Sequence, residues 1–317
     1  MKRSFYNKIF PYGNKYILYN AASDGIIVLL PRIYKLLTET TNITTLQDIH
    51  PDLYTALLTD KFIIDDNIDE PESIISQWEK EDTSPQDYSI IINPTMDCNL
   101  HCWYCYEHHF AHSKMSEKIM NIVKKHIKNK IDEGNLRRLS LSFFGGEPLL
   151  YFEETVAPLL QDIKEMCDKK GIVLNIDFTT NGVLLTEKVI DELRKYSSVS
   201  FQITLDGDEL RHNEIRKTKN NESTYKTIIK HIIQCVYTDF NILVRLNYTR
   251  RNADTFVNII KHFRDISEEK KKNIAFSFHK VWQEDPDPGT EETINDARNW
   301  FQKEGLRINR PMIESKG

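Results

Sequence analysis

The sequence between Asn93 and Glu107 reads Asn-Pro-Thr-Met-Asp-Cys-Asn-Leu-His-Cys-Trp-Tyr-Cys-Tyr-Glu. It contains three of the five cysteines, Cys98, Cys102 and Cys105. This C-x3-C-x2-C spacing lets three thiolates converge from one short loop, and soft thiolate ligands suit an iron–sulfur cluster or a zinc ion. A zinc site would need a fourth ligand, which one of four nearby histidines could supply: His101, His108, His109 and His112. The spacing therefore predicts a metal site and leaves iron–sulfur and zinc both open.

The composition is that of an ordinary globular protein, with 40% hydrophobic and 28% charged residues. A chain of 317 residues can form one large domain and a smaller one. The net charge of -5 argues against a nucleic-acid partner that binds a basic surface. The apolar run 25–30 is too short to span a bilayer, and no signal-peptide segment follows Met1. Clustered cysteines fit a reducing compartment. We therefore expect a cytoplasmic protein with no membrane partner.

Residues 1–84 predict a small α+β domain. Apolar alternation and helical spacing give, in order, two strands (16–19 and 25–30), two helices (33–37 and 53–58), a short strand (62–64) and a helix (74–78). An acidic, proline-containing break is expected over 65–72. The segment 79–87, which contains Ser84-Pro85, is the predicted linker.

From Tyr88 the sequence alternates between strands and helices. The predicted strands are 88–93, 139–144, 173–179, 199–205, 242–248 and 274–281, and the predicted helices are 116–132, 153–168, 186–195, 223–236, 253–266 and 291–303. Six such units predict a parallel sheet wrapped by helices, which right-handed crossovers curl into a partial barrel. We therefore predict an α/β protein: a partial (β/α)6 barrel over 85–290, preceded by the small domain and followed by a segment, 291–317, that holds the last barrel helix.

Four glycines follow predicted strands directly: Gly145, Gly146, Gly182 and Gly207. They belong to the sequences Gly-Gly-Glu-Pro, Thr-Asn-Gly and Leu-Asp-Gly, each in a successive strand-to-helix loop. Barrels of this type form their sites at the carboxyl ends of the strands, and glycine lets the backbone approach a ligand closely. The cysteine loop is expected at the same edge. The sequence thus predicts one site built from all of these loops.

The ordered motifs resemble those of the radical S-adenosylmethionine (SAM) superfamily, in the SPASM/twitch branch that matures peptides and proteins. The resemblance rests on the cysteine motif and on four later segments, and it covers roughly residues 85–282: Phe143–Pro148, Thr179–Gly182, Thr204–Gly207 and Arg211–Arg216. It implies that Cys98, Cys102 and Cys105 ligate a 4Fe–4S cluster. Because such a cluster usually takes four cysteines, one iron remains for SAM.

The resemblance also implies contacts to SAM. Gly145, Gly146 and Glu147 would bind its ammonium group, and the backbone of Tyr104 would contact adenine. Thr204 would donate or accept a hydrogen bond, and Arg216 would pair with the carboxylate, which suits guanidinium geometry. The remaining expected contacts are to ribose or supporting loops, from Asn181 and Asp206, and to adenine, from Val281. No catalytic base is assigned.

The function implied by the resemblance is reductive cleavage of SAM, followed by hydrogen abstraction from a peptide or protein. Maturation of ribosomally made peptides is the first expectation, and formylglycine formation of the anaerobic sulfatase-maturating type is the alternative. An external donor such as a flavodoxin or ferredoxin would supply the electron.

The two ends of the chain leave further alternatives. The N-terminal domain is either a cap or a unit similar to leader-peptide-recognition modules. Members of the branch carry a C-terminal extension with auxiliary-cluster cysteines, whereas no cysteine follows Cys235 here. We therefore expect either a truncated or split member, or an enzyme that works with the SAM cluster alone. A truncated, non-catalytic leader-peptide-binding module is a further alternative. Cys167 and Cys235 are predicted to be buried free thiols, and His279 is expected to be structural.

Overall fold

The computed structural model describes residues 1–82, 86–218 and 220–309. The chain divides into two compact units, Met1–Ser84 and Pro85–Gly317. In the described part of the chain, every helix is too short or too polar to cross a bilayer.

The first unit contains a three-stranded antiparallel sheet, a two-stranded sheet and four helices. Its elements are β1 (Lys2–Arg3), β2 (Asn7–Tyr12), β3 (Lys15–Asn20), β4 (Gly25–Leu29), α1 (Pro31–Glu39), α2 (Leu46–Ile49), α3 (Pro51–Thr59), β5 (Ile63–Ile64) and α4 (Glu70–Asp82), with a 3-10 turn at Ile43–Thr45. Strand β3 pairs with both β2 and β4, and β1 pairs with β5. Its core is aliphatic apart from Phe62 and lies between the larger sheet and helices α1–α3.

The two strands predicted at 16–19 and 25–30 are present as β3 and β4, which pair in antiparallel fashion, whereas β2 was not predicted. Strand β2 carries Pro11, which lacks an N–H and is therefore tolerated only at a sheet edge. Helix α4 begins at Glu70, inside the predicted break, because Pro71 fits the first turn of a helix. It continues to Asp82, into the predicted linker; residues 83–85 of that linker lie outside the described residues.

The second unit is built on a parallel sheet with the order β12-β11-β10-β9-β8-β7-β6. The strands are β6 (Asp87–Ile92), β7 (Arg138–Phe143), β8 (Val173–Thr180), β9 (Val199–Leu205), β10 (Asn241–Tyr248), β11 (Ile274–Lys280) and β12 (Arg307–Ile308). The six long strands match their predicted bounds to within one residue, and the α/β partial-barrel prediction is confirmed. Strand β12 was not predicted, since it is only two residues long.

The helices of this unit are α5 (Glu117–Asp132), α6 (Ala157–Lys170), α7 (Glu187–Leu193), α8 (Glu209–Ile215), α9 (Tyr225–Tyr237), α10 (Glu268–Lys271) and α11 (Pro288–Lys303). Ser116 caps the N-terminus of α5, because its hydroxyl accepts a hydrogen bond from the Ile119 N–H at 3.4 Å. A π-helical turn, Phe152–Val156, precedes α6. The predicted helix 253–266 is instead a 3-10 helix, Ala253–His262.

Aromatic rings from neighbouring strands stack in the core of the second unit. Phe143, Phe178 and Phe201 are in register on β7, β8 and β9, with ring centroids 4.9 and 5.4 Å apart. All three are fully buried. This packing fixes the three strands relative to one another, and with them the loops at their carboxyl ends.

Candidate functional site

A cavity of about 290 Å³ lies at the carboxyl ends of the strands of the second unit. Ten of the twelve predicted site residues line it: Cys98, Cys102, Tyr104, Cys105, Gly145, Gly146, Asn181, Thr204, Arg216 and Val281. The two others, Glu147 and Asp206, are fully buried and do not line the cavity. The loops after β6, β7 and β8 and the ends of β9–β11 therefore meet at one place, as the positions of the glycines predicted.

The three cysteines of the motif are free thiols that differ in exposure: Cys98 is buried, Cys102 is half-buried and Cys105 is exposed. Burial raises the pKa of Cys98 to about 12. Burial also raises the pKa of Cys102, although the nearby Arg216 guanidinium opposes that shift. A metal ligand must be the thiolate, so these thiols would lose their protons when a metal binds.

The cysteine loop and the Gly-Gly loop are held in direct contact. The Asp97 backbone carbonyl accepts a hydrogen bond from the Glu147 N–H at 2.8 Å, and Glu107 Oε2 accepts one from the Gly146 N–H at 2.7 Å. Gly146 has φ +50°, and a Cβ placed there would lie 2.2 Å from the Asp97 carbonyl oxygen. Only glycine fits this backbone approach. The Asp97 carboxylate also accepts the Cys98 N–H at 2.9 Å, which shapes the turn at the first cysteine.

Glu147 connects two strand-to-helix loops. Its Oε1 accepts hydrogen bonds from the Thr180 hydroxyl at 2.7 Å and the Leu149 N–H at 3.0 Å, and its Oε2 accepts the Asn181 N–H at 2.8 Å. Burial raises the pKa of Glu147, although these three donors favour its charged form. The structure places this carboxylate behind the cavity wall, so its predicted contact with the SAM ammonium stays a prediction.

Arg216 is a buried cation at the cavity wall, 7% exposed. Its Nε donates to Asp206 Oδ2 at 2.8 Å. Its Nη1 is buried and has no hydrogen-bond partner among the residues that the structure describes. Because an unpaired buried donor costs roughly 1–3 kcal/mol, an anionic ligand that accepts from Nη1 would relieve that cost.

Tyr104 joins several walls of the cavity. Its hydroxyl lies 2.9 Å from each oxygen of Asp206, and its backbone carbonyl accepts a hydrogen bond from Gln283 Nε2 at 2.8 Å. Burial raises the pKa of Tyr104 well above its usual value, so the hydroxyl keeps its proton. Burial also raises the pKa of Asp206, while Arg216 and Tyr104 favour its charged form.

Other residues that line the cavity were not identified as site residues from the sequence, among them Glu107, Arg245, Asn247 and Gln283. Arg245 and Asn247 lie at the end of β10, and Gln283 follows β11. No glycine marks these two strand ends. Only their position at the carboxyl ends of predicted parallel strands could have marked Arg245, Asn247 and Gln283 as site residues.

The thiols that were predicted to lie outside the site are buried as expected, since Cys167 and Cys235 are both 0% exposed. His279 is half-buried, contacts Ser277 Oγ at 2.8 Å and does not line the cavity. Burial lowers its pKa to about 4. Of the four histidines near the motif, His109 lies closest to a cysteine, with its Nε2 3.6 Å from Cys105 Sγ. Cys105, Glu107 and His109 bring ligand atoms within 4.8 Å of one another, a donor set that also suits zinc.

Comparisons with known proteins agree on one family. Residues 92–263 match the model of the Radical SAM superfamily, which is more than half of the chain. The radical SAM cyclopropyl synthase TigE of Paramaledivibacter caminithermalis is 26% identical over 79% of this chain and 57% of that protein. A cysteine-type anaerobic sulfatase-maturating enzyme of Clostridium perfringens is 24% identical over 59% and 50%. The chain thus spans about half the length of these curated relatives.

Solved structures share the fold at lower identity. The structure of anSMEcpe with bound AdoMet and the Kp18Cys peptide has a TM-score of 0.57 and 18% identity, covering 71% of this chain and 63% of that one. Streptococcus suis SuiB bound to its precursor peptide SuiA has a TM-score of 0.53 and 16% identity, covering 98% and 72%.

Enzymes of this superfamily use a 4Fe–4S cluster and SAM, and the residues at the cavity fit both cofactors. Soft thiol donors suit iron, the unpartnered Arg216 Nη1 suits a carboxylate, and the two glycines leave room for close backbone contact. The matched family, the parallel-sheet fold and this donor set agree. The chain belongs to the radical SAM superfamily of enzymes.

Proposed function

We propose that this chain forms the catalytic barrel of a radical SAM enzyme of the SPASM/twitch type that modifies a peptide or protein. The observation that carries the proposal is the cavity itself, where three thiols and a buried arginine with an unpartnered donor share one wall. The names of the relatives support a peptide or protein substrate, because they include sulfatase-maturating enzymes and a protein solved with its precursor peptide.

The roles of the cavity residues follow from their chemistry and from the family resemblance. Cys98, Cys102 and Cys105 would hold the cluster, and Arg216 would bind the SAM carboxylate. When bound, the cluster supplies the electron for reductive cleavage of SAM. The remaining SAM contacts are proposed from the backbone or side chains of Tyr104, Gly145, Gly146, Glu147, Asn181, Thr204 and Val281. Asp206, which does not line the cavity, is proposed in a supporting role.

Exposed aromatic residues at the cavity support a peptide substrate. Tyr106 and Trp282 both line it, with ring centroids 5.9 Å apart and an interplanar angle of 21°. They are 63% and 73% exposed. Large rings that are already ordered offer contact area to a peptide at a small entropic cost. The formylglycine-forming reaction stays the alternative, and the two are separated by whether a sulfatase-derived peptide or another peptide is modified.

The N-terminal unit is proposed as a leader-peptide-recognition module. On the outer face of its sheet, Phe10, Ile17 and Val28 are paired in register across β2, β3 and β4, and Phe10 and Val28 are exposed. A row of apolar side chains across three strands can receive an extended peptide. If the chain only binds a leader peptide and catalyses no reaction, the Cys102→Ala variant will bind peptide as tightly as the wild-type protein does.

The decisive experiment is anaerobic reconstitution with iron and sulfide, followed by reduction in the presence of SAM and an assay for 5′-deoxyadenosine. We expect about four irons per chain and SAM cleavage. Cys102→Ala should lose both, whereas Cys167→Ala, which alters a buried thiol away from the cavity, should keep both. Zinc in place of iron, or a cluster that never cleaves SAM, would overturn the proposal. We also propose that a flavodoxin or ferredoxin supplies the electron and that the protein is located in the cytoplasm.

A further inference from the structure

A continuous chain of hydrogen bonds runs along the cavity from Arg245 on β10 to Arg216 at the end of α8. Arg245 Nε donates to Asn247 Oδ1 at 2.9 Å, and Asn247 Nδ2 donates to the Tyr104 hydroxyl at 3.2 Å. The Tyr104 hydroxyl lies 2.9 Å from both Asp206 oxygens, and Asp206 Oδ2 accepts Arg216 Nε at 2.8 Å. All members except Asp206 line the cavity.

The arginines at the two ends fix the direction of every bond in between. A guanidinium can only donate, so the amide oxygen of Asn247 must face Arg245. The amide NH2 of Asn247 then faces Tyr104, whose hydroxyl accepts this hydrogen bond and donates its own hydrogen bond to the Asp206 carboxylate. The Asp206 carboxylate accepts from both sides. At this end of the hydrogen-bond chain, Arg216 Nη1 is a buried donor with no partner among the described residues.

We propose that Tyr104 and Asp206 are positioning residues, which hold Arg216 so that its remaining donor receives the carboxylate of SAM. This inference rests on the proposed function and deepens it. Asp206 occupies Nε and thereby sets the plane of the guanidinium. Tyr104 sits between Cys102 and Cys105, so the position of its hydroxyl depends on the conformation of the cysteine loop. The order of that loop and the binding of the carboxylate are therefore coupled, and the coupling is reciprocal.

The test compares two ligands that differ only in the carboxylate, SAM and decarboxylated SAM. Their affinities are measured anaerobically by calorimetry on the reconstituted, unreduced protein, together with iron per chain. Asp206→Asn should weaken SAM binding about tenfold, as expected for a lost charged hydrogen bond, and change decarboxylated SAM binding by less than about twofold. Tyr104→Phe should show a smaller loss with the same selectivity. Both variants should keep wild-type iron content.

The matched control is Tyr248→Phe. The Tyr248 hydroxyl also donates to a carboxylate, Glu291 Oε1 at 2.8 Å, but Tyr248 does not line the cavity. Its loss should leave both affinities unchanged.

Two results would overturn the inference. An equal loss for both ligands would show a general structural role, and no loss for SAM would show that Arg216 needs no support from this chain of bonds. If Asp206→Asn does not fold, Tyr104→Phe carries the same comparison, because it keeps the buried ion pair. A wild-type protein that binds neither iron nor SAM would overturn the proposed function as well.

Discussion

Replacing Gly146 by alanine tests the contact between the cysteine loop and the Gly-Gly loop. Gly146 has φ +50°, and its added Cβ would meet three backbone atoms of Met96 and Asp97 at 2.2 to 3.0 Å. None of these atoms can move away as a flexible side chain could. The hydrogen bond from the Glu147 N–H to the Asp97 carbonyl, 2.8 Å long, must then lengthen or break.

The expected loss can be worked out from two destabilising contributions and one that opposes them. A non-glycine residue in the left-handed region costs about 1–2 kcal/mol. Overpacking against atoms that must shift costs about 1–3 kcal/mol. Alanine also lowers the conformational entropy of the unfolded chain, which stabilises the folded state by about 0.4–1 kcal/mol. We therefore expect the free energy of unfolding to fall by about 1–5 kcal/mol. Because Asp97 is followed by Cys98, iron binding should weaken too.

Gly171→Ala is the matched control. Gly171 has φ +66°, but a Cβ there would meet nothing within 4 Å, so the backbone strain is retained and the steric contact is absent. We expect this variant to lose about 1 kcal/mol and to keep its iron. Urea unfolding and iron analysis after reconstitution measure both effects. If Gly146→Ala is no less stable than Gly171→Ala and loads iron normally, the close approach of the two loops does not support the site.

Two other consequences can be tested directly. Glu147→Gln should reduce the free energy of unfolding by about 1–3 kcal/mol in urea titrations, because an amide NH2 would face one of the three groups that now donate hydrogen bonds to the carboxylate. An unchanged urea midpoint would show that these hydrogen bonds do not stabilise the fold. Burial and nearby arginines lower the pKa of His279 from 6.5 to about 4. As the pH falls, this histidine is therefore protonated in the unfolded chain before it is protonated in the folded protein. Stability should drop below pH 6.5 by up to about 1.4 kcal/mol per pH unit from this group, and an equally steep decline in His279→Gln would refute that assignment.

The sheet could be predicted from the sequence because its strands carry a local signal. The strand Val199–Leu205, for example, alternates apolar and polar residues, and its apolar side chains are all buried, so the strand can be recognised from the sequence alone. The site could be predicted in part for the same reason. Gly145, Gly146 and Gly182 mark strand ends, and parallel strands place those ends at one edge.

The rest depends on contacts between distant residues. Tyr104 and Asp206 are 102 positions apart, and their pairing follows from the register of the sheet and the path of the cysteine loop. Asn247 joins them from β10 across 143 positions. Neither pairing leaves a pattern in the sequence. Glu147 was identified as a site residue, but two of the three donors that hold its carboxylate behind the wall, from Thr180 and Asn181, are brought near only by the fold.

The surroundings of Cys105 and those of Cys98 form at different times during synthesis of the chain. Cys105 and His109 are four positions apart, so their encounter requires no tertiary structure. The surroundings of Cys98 include Asn181, 83 positions later, and therefore form only after β8 has joined the sheet. A metal ion that binds before β8 has joined the sheet can be held by the local donors Cys105, Glu107 and His109, but it cannot meet the finished surroundings of Cys98. The metal that this loop binds therefore depends on when the metal arrives as well as on affinity.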